Sequence, residues 1–174
     1  MVMDKDMDHG QIIASTKLTI KDYISFSELS AQLSDLGADL LIKTLPEWIK
    51  GKINVQEQDH TQATFCKLIK KEDGKIDWNK SATEIERQIR AFHEWPESYT
   101  DFQGKVLKII EAEIENKKTD YEIGKVFLNE NKNLCVQTGN GVLILKQVQL
   151  EGKKSVSAKD FLNGHKEIIG TILQ

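Results

Sequence analysis

Four residues near the start of the chain could carry proton or metal chemistry. Asp4, Asp6 and Asp8 fall within five positions, followed by His9 and Gly10. Alternating aspartates suggest a calcium loop, but Ser15 and Thr16 stand where such a loop places its closing glutamate, so no metal is expected. His9 has no second ligand at zinc spacing, and His60, His93 and His165 are scattered. The sequence holds no phosphate-binding glycine loop, no G-x-S-x-G elbow and no H-E-x-x-H. Read alone, the acidic cluster is a solvated terminus.

The lysines offer a different chemistry. Lys67, Lys70 and Lys71 form one cluster, and Lys153 and Lys154 form another just after Gly152, with Lys159 beyond. Cations gathered on one face neutralise phosphates. With three Trp and three Tyr in the chain, base-specific stacking is not expected, whereas contact to a sugar–phosphate backbone is open.

Elements that could position these groups follow from pattern. Gln11–Ile20, rich in Ile, Thr and Ala, reads as a strand. Ser25-Phe-Ser-Glu28 is a capping box opening a helix with Leu29, Leu33, Leu36, Leu40 and Leu41 on one face. Leu45-Pro46 is expected to start a separate turn carrying Trp48. Residues 53–66 are polar and aperiodic and read as a linker. A second box, Ser81–Glu84, opens a helix with Ile85, Ile89 and Phe92 buried and Pro96 forcing a stop by Glu94 or Trp95. From Tyr99 the period is two. Gly104–Ile114, Tyr121–Leu128, Leu134–Thr138 and Gly141–Leu150 are strand candidates, with hairpin chemistry at Gly139-Asn-Gly141. Ser157–Asp160 caps a last short helix. Short, evenly spaced strands suggest a small barrel or curled sheet.

Composition adds bounds. The 174 residues are 29% charged and 39% hydrophobic, enough for one core, or one core and a remnant of another. No run of about 18 apolar residues predicts a membrane span, and the first residues lack the pattern of a secretory signal. Both Cys66 and Cys135 are expected to be reduced and buried, in a cytoplasmic setting. The net charge of −3 divides unevenly: residues 1–65 hold 6 Lys+Arg against 10 Asp+Glu, and the remainder hold 18 against 17.

Six segments, in order, resemble methionyl-tRNA formyltransferase, C-terminal half. Met3-Asp-Lys-Asp-Met-Asp-His-Gly10 is similar to the family's M-D-x-x-x-D-x-G. Leu36-Gly-Ala-Asp-Leu-Leu41 with Thr44-Leu45 resembles L-G-A-x-L-L…T-L. Lys71–Trp78 resembles its linker-to-barrel junction, and Ile89–Pro96 its I-R-A-F-N-P-W-P. Gly139-Asn-Gly141 and Gly152–Gly164 complete the series. The resemblance implies an α+β chain: residues 1–52 as a short α/β remnant of a Rossmann-like formyltransferase domain, 53–66 as linker, and 67–174 as an OB-like open β-barrel with flanking helices.

It also implies transfer of formyl from 10-formyltetrahydrofolate to the amino group of methionyl initiator tRNA. Of the family's catalytic Asn, His and Asp, only the Asp carries over, onto Asp8; no N-x-H-x-S-L-L-P segment occurs in this sequence. His9 is not a substitute, because its family position is small or variable. Asp4, Asp6 and Met7 would line the folate, and Lys67, Lys70, Lys71, Arg90, Lys153 and Lys154 would contact tRNA. His93-Glu94 departs from the family's Asn-Pro. The expectation is a truncated or split enzyme, its catalytic centre either supplied by a separate chain carrying the N-terminal half or lost, without membrane attachment. Two alternatives stand beside it: a non-catalytic nucleic-acid- or protein-binding module, and part of a related amino-sugar formyltransferase.

Overall fold

The computed structural model describes residues 1–115, 117 and 119–174. They form two compact units, Met1–Leu68 and Ile69–Gln174.

The first unit is a long helix and the chain around it. Helix α1 spans Phe26–Ile49, and Ser25 and Glu28 close the expected capping box at its start. The separate turn at Pro46 does not form; the helix runs through it and ends at Lys50, whose N–H reaches the Pro46 carbonyl. Proline has no N–H to give to Ile42, so one bond of the ladder is lost, and the three residues after it continue the helix. No residue of α1 is buried. Its apolar side, including Leu33, Leu41, Leu45 and Ile49, faces solvent.

The strand expected over Gln11–Ile20 is reduced to a single bridge, Ile12 with Gln56. An extended segment becomes a strand only where a neighbour offers a ladder, and the described part of this unit offers one rung. That neighbour lies in the segment read as a linker. There Asp59 caps a short 3-10 turn, His60–Gln62, through the Thr61 amide.

The second unit is a curled antiparallel sheet with two helices. Strands β1 (Ser98–Phe102), β2 (Lys105–Glu115), β3 (Val126–Leu128), β4 (Leu134–Gln137), β5 (Val142–Leu150) and β6 (Val156–Ser157) form one sheet in the order β1-β2-β5-β4-β3, with β6 on β5. Helix α2 (Ala82–Ala91) packs on β2, and α3 (Ala158–Gly164) packs beside β5. Ile85, Ile89, Leu107, Ile109, Leu143, Leu145, Val148 and Phe161 are among the buried side chains of the core. Removing such a side chain to Ala costs about 2–5 kcal/mol.

Helix α2 ends at Ala91, with Phe92 as its cap, before the limit set by Pro96. Two further expectations are corrected here. Tyr121–Leu128 is a strand only over Val126–Leu128. Strand β1 lay outside the strand candidates because it turns Ser98 and Thr100 inward. Thr100 is tolerated there because its hydroxyl accepts from Trp78 Nε1 at 3.1 Å and donates to the Gln174 carbonyl at 2.9 Å.

The thiols also divide. Cys135 is buried in β4, and burial pushes its thiol up to about 11, whereas Cys66 is exposed rather than buried. Phe65 and Leu68 beside Cys66 are exposed as well, so that segment has no core to enter.

Candidate nucleic-acid interface and acidic loop

The second unit joins distant sequence segments into one groove. Gly74 permits part of this: a Cβ there would lie 2.1 Å from the Glu97 carbonyl oxygen. The Lys71–Gly74 turn, the Trp95–Tyr99 segment, β2 and the turn after β5 enclose about 650 Å3. Lys71, Trp95, Tyr99, Lys108 and Gly152 line it.

The lysine-bearing turn is held firmly. Lys153 N–H returns to the Leu150 carbonyl at 2.9 Å, and Gly152 occupies the left-handed region with φ 73°. Glycine takes this conformation without a side-chain clash. Glu151 N–H bonds to the Val106 carbonyl at 2.8 Å, and Gln149 Nε2 donates to the Lys153 carbonyl at 2.7 Å. Lys153 and Lys154 thus project exposed from a fixed backbone. Glu72, Glu97 and Glu151 also line the groove; Glu97 is paired with Lys108, and Glu151 accepts from the Val106 amide.

The other sequence-derived cations fall elsewhere. Lys70 is exposed, its amide bonded to Asp73 at 2.7 Å. Lys67 is exposed and belongs to the first unit, so the sequence cluster crosses the boundary between units. Arg90 does not line the groove. Its Nε donates to Glu86 Oε1 at 2.6 Å one helical turn back, and Glu86 is only 5% exposed. A buried carboxylate needs a partner, so Arg90 has a structural duty the sequence did not reveal. Trp95 and Lys108 were also missed; they enter only through tertiary packing.

The acidic loop belongs to the first unit. Asp8 has φ 54°, uncommon for a non-glycine residue, and its carbonyl accepts from Gln58 Nε2 at 2.9 Å. The same amide reaches the Gly10 carbonyl at 2.6 Å. Gly10 is required by close approach: a Cβ there would sit 1.8 Å from the Val2 carbonyl oxygen. Asp4, Asp6, Met7 and Asp8 are exposed. Nothing in the sequence pointed to Gln58, nearly fifty residues away. Among the described residues no cluster of His, Cys, Asp and Glu could hold a metal, and no helix is long and apolar enough to cross a membrane.

Within this loop His9 Nδ1 lies 2.7 Å from Asp4 Oδ2, and its ring stacks on His60 with centroids 3.9 Å apart. The hydrogen bond to Asp4 raises His9 above its ordinary 6.5, and the same bond lowers Asp4 below 3.8. The raised histidine stabilises the loop fully below about pH 6.5 and loses that contribution as pH rises through its folded value; the lowered aspartate contributes above about pH 4 and loses it on acidification. A proton NMR titration is therefore expected to place the His9 midpoint above 6.5, with Asp4→Asn returning it toward that value. An unshifted wild-type midpoint would contradict the contact.

The helix-flanked antiparallel sheet defines a β domain whose charged, structured turns face solvent. The chain belongs to the formyltransferase family: residues 68–166 match its C-terminal domain, "Formyl transferase, C-terminal domain". It is 39% identical over 165 residues to the methionyl-tRNA formyltransferase of Coxiella burnetii (strain RSA 331 / Henzerling II), covering 95% of this chain and 52% of that protein. The Streptococcus thermophilus (strain ATCC BAA-250 / LMG 18311) methionyl-tRNA formyltransferase is 39% identical over 164 residues, covering 94% and 52%. The chain thus spans about half the length of the curated relatives it matches. Among solved structures, a HypX variant from Aquifex aeolicus superposes with a TM-score of 0.65 at 14% identity, over 95% of this chain and 29% of that one. HypX in complex with tetrahydrofolic acid matches with a TM-score of 0.52 at 14% identity, over 75% and 23%. At this identity the likeness concerns fold.

Proposed function

We propose that this chain provides the tRNA-binding domain and the Asp8 loop of a methionyl-tRNA formyltransferase acting in the cytoplasm. The observation that carries the reading is the groove of the second unit, lined by Lys71 and by Gly152, the residue that opens the fixed turn bearing the exposed Lys153 and Lys154. In this reading residues 1–52 are the end of a Rossmann-like formyltransferase domain, 53–66 the linker, and 67–174 an OB-like barrel. Lys67, Lys70, Lys71, Lys153 and Lys154 neutralise tRNA phosphates. Arg90 serves this face by holding Glu86 from the last turn of α2.

The reaction joins the methionyl amine nitrogen to the formyl carbon of 10-formyltetrahydrofolate. The carbonyl becomes a tetrahedral oxyanion, the bond to the folate nitrogen breaks as the carbonyl re-forms, and the net proton lost by the amine is gained by that nitrogen. Asp8 supplies negative charge that orients and polarises a neighbouring histidine. Asp4, Asp6 and Met7 form one wall for the folate. The Asn and His that hold the oxyanion come from residues outside this sequence, on the same polypeptide or a separate chain. The solvent-facing apolar side of α1 supports a partner body of that kind, since an amphipathic helix gains stability by covering such a face.

Binding of methionyl initiator tRNA at low salt tests the reading. Lys153→Ala with Lys154→Ala is expected to weaken binding roughly 10-fold and to lower the salt slope by about 2. Wild-type affinity in that double variant, or no binding by the wild-type chain, would overturn it. Formylation of an amino-sugar nucleotide, but not of the tRNA, by the completed enzyme would favour the amino-sugar alternative.

A further inference from the structure

A second concavity of the Ile69–Gln174 unit, about 520 Å3, collects cations that the proposed tRNA contacts do not use. Lys132, Lys146 and Lys159 line it together with Asn131 and Asn133, and no carboxylate is among the described residues lining it.

Each lysine arrives on a different, well-held element. Lys132 sits in the hairpin between β3 and β4 at φ 59°, its N–H bonded to the Asn129 carbonyl at 2.8 Å. The Asn129 side-chain oxygen accepts from the Asn131 and Asn133 amides at 3.1 and 3.0 Å, which fixes the loop. Lys146 falls at an irregularity of the β2–β5 ladder, skipped between the Glu111–Gln147 and Ala112–Leu145 pairs. Such irregularities re-aim side chains. Lys159 is in the first turn of α3, whose cap Ser157 pairs in β6 with Gln147.

The charge is only partly compensated. Glu113 accepts from Lys146 at 3.1 Å, and Asp160 accepts the Ser157 hydroxyl at 2.7 Å. Lys132 and Lys159 have no ion pair among the described residues. The chain itself links the trough to the lysine turn. Residues 153–159 run from Lys153 and Lys154 through β6 to Lys159, and β6 lies against β5 next to Lys146.

An open trough with cations on separate walls suits a chain of phosphates better than a single small anion. We infer that Lys132, Lys146 and Lys159 form a second contact for the RNA sugar–phosphate backbone, extending the footprint past β6 and α3. This deepens the tRNA-binding reading and rests on it.

The test compares methionyl initiator tRNA binding from about 50 to 200 mM salt for the full chain and three variants. These are Lys132→Gln/Lys146→Gln/Lys159→Gln, the matching Lys→Arg triple, and Lys153→Ala/Lys154→Ala, each checked by circular dichroism melting. The Gln triple is expected to bind roughly 10- to 100-fold more weakly at low salt, with a slope reduced by about 2 to 3, while the Arg triple binds like wild type. Wild-type affinity and slope in the Gln triple, with the Lys153/Lys154 variant impaired, would overturn the trough and leave the functional reading intact. Loss of binding in the Arg triple would overturn the charge argument. No binding by the wild-type chain would remove both inferences together.

Discussion

Incubated with methionyl initiator tRNA and 10-formyltetrahydrofolate, this chain by itself is expected to leave the aminoacyl-tRNA unformylated. The reason lies in where charge develops. Attack by the amine places negative charge on the former formyl oxygen, and a preorganised hydrogen-bond donor there is worth about 10²–10³ in rate. The chain offers Asp8, an acceptor, in an exposed loop whose neighbours within the described unit are Gln58, Asp4 and His9. His9 is engaged by Asp4 and stacked on His60. On the proposed reading, which takes the two oxyanion donors from residues outside positions 1–174, the rate is expected to fall roughly 10⁴-fold or more below that of a complete enzyme. Separation of formylated from unformylated methionyl-tRNA on acid gels reads this directly. Turnover at the rate of a complete enzyme would show that the loop assembles a catalytic centre from residues already present.

The second large effect is structural. Gly139→Ala is expected to destabilise the Ile69–Gln174 unit by about 3 kcal/mol or more, the upper end of overpacking penalties. A Cβ at Gly139 would stand 1.9 Å from the Asn79 carbonyl oxygen, and that obstacle is backbone. The Gly139 N–H also bridges the Trp78 and Lys80 carbonyls at 2.9 and 3.0 Å, and Ala82 N–H bonds to the Asn140 carbonyl at 2.9 Å. The β4–β5 hairpin therefore grips the segment that starts α2, and moving it would disturb Trp78 and Ile85 in the core. Urea unfolding should show a lowered midpoint with a similar slope. An unfolding free energy within a few tenths of a kcal/mol of wild type would mean the hairpin can shift freely.

These two positions show which information the chain carries locally. Ser25, Ser81 and Ser157 were readable as caps because each bonds to an amide three residues on. Gly139-Asn-Gly141 announced a turn because Asn-Gly suits the left-handed backbone that Gly141 adopts at φ 83°. Its grip on Asn79 was not readable, since that contact spans sixty residues. Strand β1 hid behind Ser98 and Thr100, whose inward placement depends on Trp78 and the chain's last residue for the latter's hydrogen bonds. In the acidic loop the Asp spacing was visible, but the Gln58 clasp and the His9–His60 stack are tertiary. In the groove the lysine pairs were visible. Arg90's commitment to Glu86 was not readable, because the burial of Glu86 is set by tertiary packing.

The central claim is that the second unit presents an RNA-binding face built on the Gly152 turn. The most direct measurement is an amide NMR footprint of the full chain titrated with methionyl initiator tRNA at low salt. The Lys70, Lys71, Gly152, Lys153 and Lys154 amides are expected to shift first and to return when salt is raised. Unmoved amides throughout, or shifts confined to Met1–Leu68, would contradict it.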